Sequence, residues 1–127
     1  MLIYLIDDDQ EDQEIFDMAL YETGVSAQLQ CFNSATSVID VLKNGKKVPD
    51  FMFLDLNMPK INGLECLQML SSENFTTKSR VIIYSTSSNE KDVHQTKALG
   101  AHDYLVKPTN FGHLVQSIKD ILSGKMA

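Results

Sequence analysis

The chain has 127 residues, 43% of them hydrophobic and 22% charged, with a net charge of −6. That length and composition suit one compact globular domain. The acidic balance argues against nucleic acid or an anionic membrane as a partner, since both reward basic surface.

The apolar start from Met1 to Ile6 is too short for a signal segment or a membrane span, and Asp7, Asp8 and Asp9 follow at once. It reads as a first strand, Leu2 to Ile6, in a cytoplasmic protein. Asp9 is placed to cap a helix running to about Tyr21, with Ile15, Met18, Ala19 and Glu22 on one face and Gly24 as its stop. Ala27 to Phe32 is a short second strand. Ser34 caps a second helix with Val38, Ile39 and Leu42 inward, ended by Asn44 and Gly45. The basic turn Lys46–Lys47 and then Pro49–Asp50 lead into Phe51 to Leu56. Five of those six residues are apolar, the pattern of a strand buried on both faces. The chain then turns through Asn57, Met58, Pro59 and Lys60. Ile61, Asn62 and Gly63 open a third helix carrying Leu64, Leu67 and Leu70, and the polar run Ser71 to Ser79 reads as a loop.

Arg80 to Tyr84 is a fourth strand, followed by Ser85 to Asn89. The next helix, Glu90 to Leu99, offers only Val93, Ala98 and Leu99 as apolar residues, and Gly100 ends it. Tyr104 to Val106 is a fifth strand, followed by Lys107 and Pro108. Thr109 caps a last helix whose Phe111, Leu114, Val115, Ile118, Ile121 and Leu122 give the cleanest helical period in the chain. Five strands alternating with five helices predict an α/β fold with a parallel sheet covered on both faces. No repeat or linker interrupts the pattern, so residues 1–127 are expected to form a single domain with no room for a second. Cys31 and Cys66 lie in apolar contexts without metal-type spacing and are expected to be reduced and buried.

The C-terminal ends of parallel strands lie along one edge, where open α/β sheets place their ligands. The first strand brings Asp7 and Asp8 there, the third Asp55 and Asn57, the fourth Ser85, and the fifth Lys107. Each has an ordinary explanation alone. Asp55 suits a turn or cap, the aspartate run a solvated helix start, Lys107 a turn, and Ser85 a strand end. Their joint occurrence at the ends of four strands is not explained that way. Clustered carboxylates raise one another's pKa unless a cation joins them. Mg²⁺ takes a few protein oxygens and keeps room for phosphate oxygens. Lys107 adds a point charge suited to phosphate, and Ser85 a hydroxyl donor. A carboxylate nucleophile, a hard cation and a lysine are what aspartyl-phosphate chemistry needs.

Taken together, Leu5-Ile6-Asp7-Asp8, Phe53-Leu54-Asp55-Leu56-Asn57-Met58-Pro59 with Asn62-Gly63, Ile83-Tyr84-Ser85 and Tyr104-Leu105-Val106-Lys107-Pro108 resemble the receiver domain of two-component response regulators. The resemblance covers the whole chain. It implies a flavodoxin-like doubly wound sheet of strand order 2-1-3-4-5. It implies Asp55 as phosphoacceptor, with Asp8 and Asp55 as side-chain ligands of Mg²⁺, Asp7 acting mainly through water, and the Asn57 carbonyl as a third protein ligand. Lys107 would pair with the phosphoryl group, Ser85 would be the switch hydroxyl, and Tyr104 the switch aromatic. The donor would be a histidine kinase or phosphotransfer protein. A downstream protein would read the surface of the fourth helix, fifth strand and last helix, and the domain would be a monomer or a weak phosphorylation-dependent dimer. Two departures stand out. Thr86 occupies a position that is often very small, and the switch position is more often Thr than Ser. A register with Thr86 as the switch is open, although Ser85 follows the apolar run directly.

A phosphohydrolase of the haloacid dehalogenase type would also use an aspartate, Mg²⁺ and a lysine. Such enzymes typically place a second aspartate two residues after the first, where this chain has Asn57, which is no acid at neutral pH. A receiver that is never phosphorylated and binds constitutively is a further alternative. A flavin carrier is disfavoured by three aspartates where a phosphate loop would stand. His94, His102 and His113 are scattered away from the strand ends and read as structural.

Overall fold

A computed structural model describes residues 1–45, 47–58 and 60–124; Lys46 of the basic turn and Pro59 of the turn after the central strand lie outside the described residues. The elements are β1 (Leu2–Ile6), α1 (Gln10–Glu22), β2 (Gln28–Phe32), α2 (Ala35–Asn44), β3 (Phe51–Leu54), α3 (Gly63–Ser72), α4 (Phe75–Lys78), β4 (Arg80–Ser85), α5 (Glu90–Ala98), β5 (Asp103–Val106) and α6 (Phe111–Leu122). All four strand pairs are parallel, in the order β2-β1-β3-β4-β5. This is the expected flavodoxin-like sheet.

Strand alternation divides the core into two layers. Tyr4, Ile6, Met52, Leu54, Val81 and Ile83 face Val38, Ile39 and Leu42 of α2 and Cys66, Leu67 and Leu70 of α3. Ile3, Leu5, Phe53, Ile82, Tyr84 and Leu105 face Phe16, Ala19 and Leu20 of α1 and Leu114, Ile118 and Ile121 of α6. The ladders align the strand ends: Ile6 pairs with Leu54, Leu54 with Ile83, and Ile83 with Tyr104. None of the described helices is long and apolar enough to cross a membrane.

The structure departs from the sequence reading in several places. There are six helices among the described residues, because Phe75–Lys78 form one turn inside the run expected to be a loop. Phe75 is buried and anchors that turn, and Asn74 enters it in the left-handed region at φ 63°. On α1, Ile15, Met18 and Glu22 face solvent, while Phe16 and Leu20 join Ala19 inside. The Phe16 ring meets Phe53 edge-on at 4.9 Å and Tyr84 at 5.4 Å, and this aromatic packing sets the rotation of the helix. Cys31 is exposed because β2 is an edge strand, whereas Cys66 is buried, which pushes its thiol up to about 12. Ala98 is exposed, and the buried residue of α5 is Thr96, whose hydroxyl donates to the Asp92 and Val93 carbonyls. Asn110 rather than Thr109 caps α6, accepting from the His113 amide, and Phe111 is partly exposed. Asp103 extends β5 by one residue, and its buried carboxylate holds the exposed Arg80 at 3.0 Å.

Gly63 fixes the floor of the site. It opens α3, its amide donates to the Leu56 carbonyl, and a Cβ there would meet the Asp55 carbonyl oxygen and the Leu56 Cα. Both obstacles are backbone, so neither rotates away. Gly63→Ala is expected to destabilise the fold by about 2–3 kcal/mol, read as a lower urea midpoint at unchanged slope.

Candidate functional site

The edge formed by the strand ends gathers the residues that the sequence places there. Asp7 follows β1; its amide donates to the Phe32 carbonyl and its side chain is fully buried. One Asp7 oxygen accepts from the Asp9 amide at 3.0 Å. Asp55 follows β3, tied to β1 by its amide on the Ile6 carbonyl, and its Oδ1 accepts from the Asn57 amide at 3.2 Å. Asp8 is exposed at the mouth. Asp7, Asp8 and Asp55 each offer a carboxylate oxygen, all within 4.8 Å of one another. Asn57 is exposed directly after them.

Lys107 follows β5, and its amide donates to the Ser85 carbonyl at 2.7 Å. Its Nζ lies 3.0 Å from Asp7 Oδ2 and 3.7 Å from Asp55 Oδ2. It also lies 5.0 Å from the centre of the Tyr84 ring, a cation–π arrangement under the ammonium. Ser85 ends β4 fully buried, and its Oγ accepts from the Ser87 amide at 3.2 Å. Thr86, the other candidate switch position, is exposed. Tyr104 is half-buried, and its hydroxyl donates to the Ser87 carbonyl at 2.7 Å, joining β5 to the loop after β4.

One residue of this cluster is absent from the sequence reading. Asp12, in the first turn of α1, accepts from Lys107 Nζ at 2.8 Å, the shortest of the lysine's three carboxylate contacts. The signal was there: helical side chains lean toward the N-terminus, so an acid in the first turn after the Asp9 cap reaches back over the strand ends.

Burial and charge set the protonation of the site. Burial lifts the Asp55 carboxyl up to about 6, against the Lys107 charge and the Asn57 amide, which favour the anion; the Asp7 charge pushes the same way as burial. Burial pulls on Lys107 in the other sense, but hydrogen bonds to Asp12 and Asp7, with the charges of Asp7 and Asp55, hold its ammonium above the ordinary lysine value. The pocket is thus an all-oxygen acidic donor set with an open mouth at Asp8, which fits a hard divalent cation and not a soft one.

A family model described as "Response regulator receiver domain" matches residues 3–119. The nitrate/nitrite response regulator protein NarL of Escherichia coli (strain K12) is 32% identical over 120 residues, which are 88% of this chain and 54% of NarL. The chain therefore spans about half the length of that relative. The crystal structure of the phosphorylated cyanobacterial phytochrome response regulator RcpA superimposes with a TM-score of 0.83 at 29% identity, covering 94% of this chain and 89% of that one. The Mn²⁺-bound form of response regulator Rcp1 superimposes with a TM-score of 0.81 at 25% identity, covering 96% and 91%.

Proposed function

The chain belongs to the response regulator receiver family, and on that premise we propose that it accepts a phosphoryl group on Asp55 from a histidine kinase or phosphotransfer protein in the cytoplasm. The observation that carries the reading is Asp55 itself. It is a buried carboxylate at the end of the central strand, with Asp7 and Asp8 beside it and a lysine ammonium at 3.7 Å. In the transfer an Asp55 carboxylate oxygen bonds to phosphorus as the phosphorus–nitrogen bond of a phosphohistidine breaks, and the imidazole leaves with the electron pair. Water later attacks the same phosphorus and restores the carboxylate.

Asp8 and Asp55 would hold Mg²⁺ through their side chains, Asp7 mainly through water, and Asn57 through its carbonyl; the cation supplies charge neutralisation of the transferring phosphoryl oxygens. Lys107 pairs with one of those oxygens. The Ser85 hydroxyl, buried at the end of β4, donates to another. That favours Ser85 over the exposed Thr86 as the switch. When the hydroxyl turns toward the phosphoryl group, the loop holding Ser87 moves, and Tyr104, bonded to its carbonyl, moves with it. The surface of α5, β5 and α6 then changes, and a protein partner reads it. The thin buried stripe of α5 supports such mobility. The domain would work by protein contact, as a monomer or a weak phosphorylation-dependent dimer.

The test is intact mass after incubation with acetyl phosphate and Mg²⁺. One phosphoryl adduct is expected, abolished by EDTA, with no steady turnover of a phosphate ester such as para-nitrophenyl phosphate. Steady ester turnover would replace the receiver reading by a phosphohydrolase. No adduct from acetyl phosphate or a kinase would leave a constitutive binding module.

A further inference from the structure

We propose that Asp12 is a positioning residue: its carboxylate competes with the phosphoryl group for Lys107 and so sets how readily Asp55 is phosphorylated. The inference rests on the reading of Asp55 as the phosphoacceptor. Of the three carboxylates around the ammonium, Asp12 is nearest at 2.8 Å, Asp7 next at 3.0 Å, and Asp55 farthest at 3.7 Å. The last distance is beyond a hydrogen bond. The lysine thus leans toward α1 and away from the residue it is to serve.

The first turn of α1 holds Asp12 firmly. Asp9 caps the helix, its Oδ1 accepting from the amides of Glu11 at 2.9 Å and of Asp12 itself at 3.2 Å. Gln13, on the same turn, donates from Nε2 to the Asp7 carbonyl and to Asn33 Oδ1, at 2.6 and 2.7 Å. The turn is therefore tied to the ends of β1 and β2. Below the ammonium lies the Tyr84 ring, packed by Phe16 and Phe53. With its floor filled, Nζ has one easy displacement, sideways between α1 and β3. An ammonium has three N–H donors, and carboxylates engage two here. A phosphoryl group on Asp55 brings three more strongly charged acceptors to that side. The lysine then exchanges Asp12 for the phosphoryl group, so loss of the Asp12 contact is part of the barrier to phosphorylation. The Asp12 side chain is about one-third exposed while the Lys107 side chain is 11% exposed, so the bond is only partly screened.

The experiment compares the wild type with Asp12→Asn and with Glu11→Gln, an exposed acid on the same turn. Two rates are measured with acetyl phosphate and Mg²⁺: adduct formation at saturating donor, and adduct loss after the donor is removed. Asp12→Asn is expected to form the adduct about three- to tenfold faster, the order expected for one charge-assisted hydrogen bond at a half-open site. Its hydrolysis is expected to match the wild type, because the lysine has left Asp12 once the phosphoryl group is in place. Glu11→Gln is expected to change neither rate, which separates a specific contact from general relief of repulsion. Asp12→Ser, also uncharged, must show the same acceleration. A second readout needs no phosphorylation: the Lys107 ammonium resonance in ¹⁵N NMR is expected to shift in Asp12→Asn and not in Glu11→Gln. Adduct on the wild type with equal or slower formation in both Asp12 variants overturns this inference alone. No adduct on the wild type overturns the phosphoacceptor reading, and this inference with it.

Discussion

Asp55→Asn is expected to take no phosphoryl group and, in EDTA, to melt above the wild type at pH 7. The side chain is 7% exposed, and burial lifts its carboxyl from the ordinary 3.8 to about 6. The folded state therefore binds the proton more tightly than the unfolded chain. Asp55 contributes its full stability below about pH 4 and loses it as pH rises through about 6. Above that window the ionised group costs up to about 3 kcal/mol. Asparagine keeps the shape, can still accept from the Asn57 amide, and has no charge to desolvate. The expected gain at pH 7 is about 1–3 kcal/mol, a rise of several degrees, vanishing below about pH 4. Melting curves from pH 4 to 8 check this, and an Asp55→Asn protein melting at or below the wild type at pH 7 would refute it. The same titration governs chemistry. Only the anion attacks phosphorus, and Mg²⁺ on the carboxylate favours the anion, so adduct formation on the wild type is expected to fall in acid at a pH that moves lower as Mg²⁺ is raised.

Lys107→Ala is the converse case. It is expected to lose about 2–4 kcal/mol of stability at neutral pH and to slow adduct formation about a hundredfold. Without the ammonium, fully buried Asp7 and nearly buried Asp55 confront each other, and Asp12 loses its partner at the edge. Part of that cost is relieved when a carboxyl takes up a proton, so the deficit is expected to shrink as pH falls from 8 to 5. A divalent cation relieves it differently, by binding the carboxylates. Mg²⁺ is therefore expected to raise the melting temperature of Lys107→Ala more than that of the wild type. Equal deficits at both pH values, or equal responses to Mg²⁺, would show that Lys107 does not neutralise this cluster.

The strand-and-helix alternation and the placement of Asp7, Asp8, Asp55, Ser85 and Lys107 along one edge were legible in the amino-acid order alone. The reason is local: short apolar runs bounded by polar residues mark parallel strands, and in such a sheet whatever follows each run lands on the same side. The rotation of α1 was not legible. Ile15 and Met18 make as plausible an apolar stripe as Phe16 and Leu20, and the choice came from an aromatic cluster with residues of β3 and β4. Nor was the exposure of Cys31, since a strand's own residues do not say that it will be an edge. The turn of α4 depends on one buried ring, Phe75, in an otherwise polar run. The partner of Lys107 is the sharpest case. Asp12 lies ninety-five residues away, and three carboxylates stand within about one ångström of the same distance from the ammonium. Which one holds it depends on how a capped helix turn seats against a strand end, and that relation exists only once the chain has folded.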